Sequence, residues 1–149
     1  MIKAFISYSS AQKTFAEEIA KTLGYDNCFI DNSSFENGMK TIYEIYKAIG
    51  CSAIFVFLIS KEAVASDWVK NELSNVRDYV DEGKITFLPF IIDERVDYNE
   101  TSIKPWIRKD YNLQKYSNPI LVARKIKEEI REISWRLYPD LRKKDSLFQ

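Results

Sequence analysis

Apolar positions along this chain alternate between short unbroken runs and stretches with a helical repeat. IKAFIS, residues 2–7, predicts a short buried strand ending in the hydroxyl-rich Ser7-Tyr8-Ser9-Ser10. Phe15, Ile19 and Leu23 then form the stripe of a helix, with Ser9 or Ser10 as its cap and Gly24 just past its end. Cys28-Phe29-Ile30-Asp31 predicts a second strand. A polar loop, Asn32 to Gly38, leads into a second helix with Ile42, Ile45, Tyr46 and Ile49 on its inner face and Gly50 as its stop. Ser52 to Ser60 holds the longest apolar run, AIFVFLI, without polar alternation, so both faces of this third strand should be covered, as in the centre of a parallel sheet. Lys61 to Ala65 reads as a short turn, followed by a helix that opens in SDWVKNEL, runs to about Val80 and halts near Gly83. Lys84 to Ile92 is the fourth strand, with Pro89 marking interrupted or bulged pairing. Between Asp93 and Ser117 the pattern supports a short helix around Trp106 and a weak fifth strand. Asn118-Pro119 opens the last helix, whose buried side is Ile126, Ile130, Ile133 and Leu137.

Strands alternating with helices predict a three-layer α/β domain, flavodoxin-like, with a five-stranded, mainly parallel sheet in the order 2-1-3-4-5. Ligands of such sheets bind outside the carboxyl ends of the strands, where the strand order reverses. That rim is Ser7 to Ser10, Asp31 to Gly38, Ser60 and the start of the SDWVKNEL helix. Residues 1–138 make one domain; residues 139–149 are polar and read as a tail or the start of a linker to a further domain.

Composition narrows the chemistry. Lys+Arg and Asp+Glu balance at 22 each, so no overall field recruits nucleic acid or an anionic membrane. The basic residues of the last third are interspersed with Glu128, Glu129, Glu132 and Asp140, the pattern of a solvated helix face. The absence of histidine removes Ser-His-Asp and Cys-His catalysis and the commonest metal sites. Cys28 and Cys51 lack a ligand cluster, so no metal is expected; as small reduced core residues they suit the cytoplasm. With four glycines there is neither a Walker loop nor a GxGxxG pattern, and no apolar run is long enough to span a bilayer. Chemistry must rest on carboxylates, hydroxyls, amides and aromatics.

SDWVKNEL sets Trp68 and Glu72 four residues apart, one helical turn on one face. At about 100° per residue, Val69, Leu73, Val76 and Val80 form the core stripe, and Trp68, Glu72 and Tyr79 an adjacent arc at its margin. Ser66 can cap this helix and Asp67 complements its dipole. The pattern allows a core tryptophan beside a solvated glutamate as well as a stacking surface beside a reactive carboxylate.

Four stretches resemble the Toll/interleukin-1 receptor (TIR) domain family. KAFISYSS is similar to its first signature box. FIDNSSFENGMKTIYEIYKAI looks like its second strand, BB loop and second helix, with Asp31 and Gly38 in the expected places. SAIFVFLIS and SDWVKNEL resemble the third strand and the W-x-x-x-E element of bacterial TIR domains that consume NAD⁺. The likeness is in register from roughly Ile2 to Ile92 and looser to about Leu137. Departures are Glu36-Asn37-Gly38 without the proline common in animal BB loops, Val69 where many members carry cysteine, and Ala11-Gln12 after the first box.

The resemblance implies cleavage of the nicotinamide–ribose bond of NAD⁺, as a substrate rather than a resident cofactor, giving nicotinamide and ADP-ribose or a cyclic ADP-ribose in bacterial anti-phage defence or cell death. It makes Glu72 the catalytic carboxylate and assigns substrate contacts to Trp68, Tyr8, Ser9, Asp31, Phe35, Glu36 and Gly38. It also implies activity that depends on self-association with other TIR domains in the cytoplasm, with neither nucleic acid nor membrane as a direct partner. Plainer roles stand beside these. Tyr8 and Ser9 can simply end a strand and cap a helix, Asp31 can organise its loop, and Gly38 can supply a backbone conformation closed to other residues. Phe35 equally suits contact with another TIR domain, and Trp106 suits the core. The alternative function is a scaffold or adaptor module that assembles TIR domains without catalysis. A phospho-accepting receiver on the same sheet fits poorly, because Ser7-Tyr8 and Ser60 stand where it needs acidic residues.

Overall fold

The computed structural model of the chain describes residues 2–30, 53–66, 73–83, 85–137 and 139. The predicted second helix, the polar loop before it, and the stretch 67–72 lie outside them. Four parallel strands, β1 (Lys3–Ser7), β2 (Cys28–Ile30), β3 (Ala53–Ile59) and β4 (Ile85–Ile91), make one sheet in the order β2-β1-β3-β4. Among the described residues the α-helices are α1 (Lys13–Leu23), α2 (Lys61–Ala65), α3 (Leu73–Asp81), α4 (Pro105–Asp110) and α5 (Pro119–Leu137).

In-register pairing lines up Phe29, Phe5, Phe55 and Phe87 as one row across a single face of the sheet. The rings of Phe5 and Phe55 stack at 5.7 Å and those of Phe55 and Phe87 at 5.9 Å. Cross-strand aromatic pairs of this kind stabilise a sheet beyond the area they bury. Ala63 and Val64 of α2, Tyr79 and Val80 of α3, and Trp106 and Ile107 of α4 cover this row. On the opposite face, Ala4, Ile6, Ile54, Val56 and Leu58 meet Ala16, Ile19 and Ala20 of α1 and Val122, Ala123 and Ile126 of α5. Helices on both faces explain why β3 carries no polar alternation.

The local signals for helix ends were mostly sound. Gly24 and Gly83 follow α1 and α3 with φ of 92° and 74°, conformations that favour glycine. The Asn118 side chain accepts from the Ile120 N–H at 2.9 Å and so caps α5. Along α5, Ile126 and Ile133 are buried and Ile130 partly so. Leu137, expected on that stripe, is 46% exposed at the last residue of the helix.

Three further expectations need correction. Lys61–Ala65, read as a turn, is a short helix, because the Ser60 hydroxyl accepts from the Ala63 N–H at 3.1 Å. Neither Ser9 nor Ser10 caps α1. The chain enters that helix through a 3-10 turn, Ser10–Gln12, closed by the Gln12 N–H on the Ser9 carbonyl at 2.8 Å. Among the described residues the sheet has four strands where five were expected, and the fifth is reduced to one bridge between Ile91 and Lys115.

Pro89 supplies a physical reason for the missing strand. The Ile92 N–H donates inward to the Ile59 carbonyl, and the Ile91 N–H outward to the Gln114 carbonyl. Alternate residues of β4 therefore face its outer edge, Pro89 among them, and proline has no N–H to offer where the next outward bond would form. Towards β3 the register runs through Pro89 without a bulge, paired with Phe57. The interruption predicted from this proline is confined to the outer edge.

Candidate functional site

In the order β2-β1-β3-β4 the chain reverses direction between β1 and β3, so the crevice opens at the carboxyl ends of those two strands. Three buried polar residues stand among the described residues, Ser7, Ser60 and Asp93, and each follows or ends a strand at this rim. Interiors exclude polar groups unless they are bonded, so such a cluster marks where the fold departs from simple packing.

Ser60 joins β3 to α2. Its backbone is extended (φ −130°, ψ 168°), its hydroxyl caps α2, and its carbonyl accepts from the Val64 N–H at 3.0 Å. Across the crevice the Ser9 hydroxyl lies 3.4 Å from that of Ser60, bridging the loop after β1 to the loop after β3. Ser9 is half-buried, whereas Tyr8 is 7% exposed and packs into the core on the α1 and α5 side. Of these two predicted contacts, Ser9 has surface at the crevice. The Ser7 hydroxyl is buried and has no hydrogen-bond partner among the described residues. Ser66 ends α2 and its hydroxyl reaches back to the Ala63 carbonyl at 2.8 Å. Asp31, Phe35, Glu36, Gly38, Trp68 and Glu72 lie outside the described residues.

Asp93 was not singled out by the sequence, yet it organises the far side of the rim. It is 9% exposed, two residues beyond β4. One carboxylate oxygen accepts from the Lys61 N–H at 3.0 Å; the other accepts from the Arg95 N–H at 3.0 Å, as in an Asx-turn. The Arg95 guanidinium grips both oxygens, with Nη2 at 2.7 Å, and the same nitrogen reaches Glu62 at 2.7 Å. Lys61 Nζ contacts Glu100 at 3.0 Å. The Arg95 guanidinium, helped by the two backbone N–H groups and opposed by burial, holds the Asp93 carboxyl well below the usual carboxylate range. Arg95 also lowers the Glu62 pKa, and its own rises through the two carboxylates. The local signal for this cluster was an Asp-x-Arg spacing directly after an apolar strand.

Trp106 packs into the core as expected, 5.3 Å from the Phe87 ring, with the Arg77 guanidinium 5.9 Å from its own. Two clefts of about 520 and 500 Å³ lie beside β4, both lined by Leu88, Tyr111 and Glu129 of α5, the first also by Phe90 and Trp135. Neither is lined by Ser9, Ser60 or Asp93. Among the described residues no group of side chains could hold a metal ion, and no helix is long and apolar enough to cross a membrane.

No curated protein and no solved structure matches the chain. A sequence model of the TIR domain matches residues 4–118, from β1 to the residue that caps α5, a span that includes the whole rim. Together with the parallel sheet and its reversal between β1 and β3, that match establishes that the chain belongs to the TIR domain family, a family of signalling and NAD-cleaving domains.

Proposed function

We propose that this TIR domain cleaves the nicotinamide–ribose bond of NAD⁺, yielding nicotinamide and ADP-ribose or a cyclic ADP-ribose, in bacterial anti-phage defence or cell-death signalling in the cytoplasm. The observation that carries the reading is the Trp68–Glu72 pair, placed in sequence directly between α2, which starts at the crevice, and α3. Nicotinamide leaves from a cationic pyridinium as a neutral base and requires no general acid, so a chain without histidine can perform the reaction. An ordinary glycosidase needs a second carboxyl group to protonate its leaving oxygen. Here Glu72 alone would hold the ribose hydroxyls and stabilise positive charge developing on the sugar. Trp68 offers an apolar face to a base. Ser9 lines the opposite wall with Tyr8 behind it, Asp31 would contribute a further substrate contact after β2, and Phe35, Glu36 and Gly38 would close over the dinucleotide. In hydrolysis, water supplies the hydroxyl that replaces nicotinamide and one proton is released.

The test is nicotinamide release from NAD⁺ by wild type and Glu72→Gln at high protein concentration, because TIR domains act on one another. The carboxamide should lower turnover by about 100-fold or more. Turnover within a few-fold of wild type would overturn the assignment.

A second reading, a scaffold that joins TIR domains without chemistry, draws support from the outer edge of β4, which among the described residues carries one bridge, at Ile91, and from the clefts beside it. It predicts self-association with no nicotinamide released at any concentration.

A further inference from the structure

We propose that Asp93 is a positioning residue for this reaction: by holding the Lys61 N–H and the Arg95 guanidinium it fixes the start of α2, and with it the chain that leads into Trp68 and Glu72. The inference rests on the reading of Glu72 given above.

Asp93 is poorly suited to touch substrate itself. Its two oxygens take five hydrogen bonds, from the Lys61 N–H, the Arg95 N–H and the Arg95 guanidinium, which leaves little capacity for a ligand. Nor does the surrounding cluster suit phosphate. Lys61 and Arg95 face Glu62, Asp93 and Glu100, two cations against three carboxylates, so an anionic dinucleotide gains no attraction there. The arrangement instead ties α2 down. The Lys61 N–H meets Asp93, Lys61 Nζ meets Glu100 and Glu62 meets Arg95, three contacts from the first two residues of α2 to the segment after β4. Ser60 adds a fourth, to Ser9 across the crevice.

The body of α2 has its own support, since Ala63 and Val64 are buried in the core. Losing Asp93 should therefore leave the fold standing while the height and rotation of the helix start are no longer fixed. A displacement of about 1 Å at a reacting group can cost on the order of 10²-fold in rate. Such a loss falls more on kcat than on KM, because stabilising the charge that develops on the sugar depends more steeply on the placement of the carboxylate than stacking and ribose contacts do.

The experiment measures kcat and KM for NAD⁺ in wild type, Asp93→Asn, Asp93→Ala and Glu72→Gln, with hydrogen exchange of the 61–73 peptide and thermal unfolding in parallel. The carboxamide keeps an acceptor for the Lys61 N–H and loses the charge facing Arg95; a fall in kcat of about fivefold is expected, against about 30-fold for alanine. KM should stay within about twofold, and exchange should quicken in 61–73 but not in β1 or β3. If Asp93→Ala does not fold, Asp93→Asn decides on the same criteria. Folded variants with kcat within about twofold of wild type, beside an inactive Glu72→Gln, overturn the positioning role and leave the Glu72 reading intact. A rise in KM at unchanged kcat also overturns it, by making Asp93 a binding residue. Wild type no more active than Glu72→Gln sinks both.

Discussion

Replacing Ser60 by alanine isolates one hydroxyl at the crevice and allows its contribution to be worked out. Its Oγ accepts from the buried Ala63 N–H at 3.1 Å, and Ser60 is 0% exposed, so water cannot take over when the oxygen is removed. A buried donor left without a partner costs about 1–3 kcal/mol, and truncating a helix cap to alanine typically costs about 1 kcal/mol. Both figures describe the same bond and do not add, so about 1.5 kcal/mol is expected. In a chain of this length that lowers Tm by about 3–6 °C. Ser9→Ala is the internal control. Its hydroxyl is half-exposed and 3.4 Å from Ser60 Oγ, too long for a strong O–H···O bond, so its loss should stay within about 0.5 kcal/mol. Urea unfolding followed by circular dichroism should shift the Ser60→Ala midpoint at unchanged slope. The reasoning is refuted if Ser9→Ala costs as much as Ser60→Ala, or if Ser60→Ala costs less than about 0.3 kcal/mol.

Two other perturbations follow from the same coordinates. The Asp93 carboxyl lies below its unfolded value of about 3.9, so its contribution to stability is complete above about pH 4 and is lost as pH falls towards the folded value. Between about pH 4 and 2 the Tm of wild type should fall more steeply than that of Asp93→Asn, and parallel curves would count against the ion pair. Pro89→Val restores an N–H on the outer edge of β4 while leaving the register with β3 intact. Stability should change by less than about 0.5 kcal/mol, while light scattering should report increased self-association through the extended edge; unchanged association would show that Pro89 does not protect it.

Strands and helices were legible where a signal was local and long. AIFVFLI announced a central strand, Asn118-Pro119 announced the start of α5, and Trp106 was correctly assigned to the core. KEAVA was too short to show a period, so α2 passed for a turn. The loss of the fifth strand depends on which edge the Pro89 nitrogen faces, a consequence of pairing that no single run of residues reveals. Asp93 escaped notice for a similar reason: its partner at Lys61 is 32 residues away and contributes a backbone N–H, which side-chain patterns do not announce. Of the predicted site, Ser9 and Tyr8 could be placed, one at the crevice and one mainly within the core.

The rim and the core hold α2 and α3, the helices on either side of Trp68 and Glu72 in sequence, in different ways. Upstream, α2 is held at its start by hydrogen bonds to Ser60 and Asp93, and these are directional: they fix both place and rotation. Downstream, Tyr79 and Val80 of α3 pack against the same aromatic face of the sheet, and apolar packing of this kind is non-directional. Directional anchoring of α2 therefore comes from the rim. This accounts for a chain that buries a serine and an aspartate beside two strand ends, where apolar residues would pack at lower desolvation cost. A fold that needed only stability could dispense with them; one that must fix the start of α2 at a crevice has a reason to keep them.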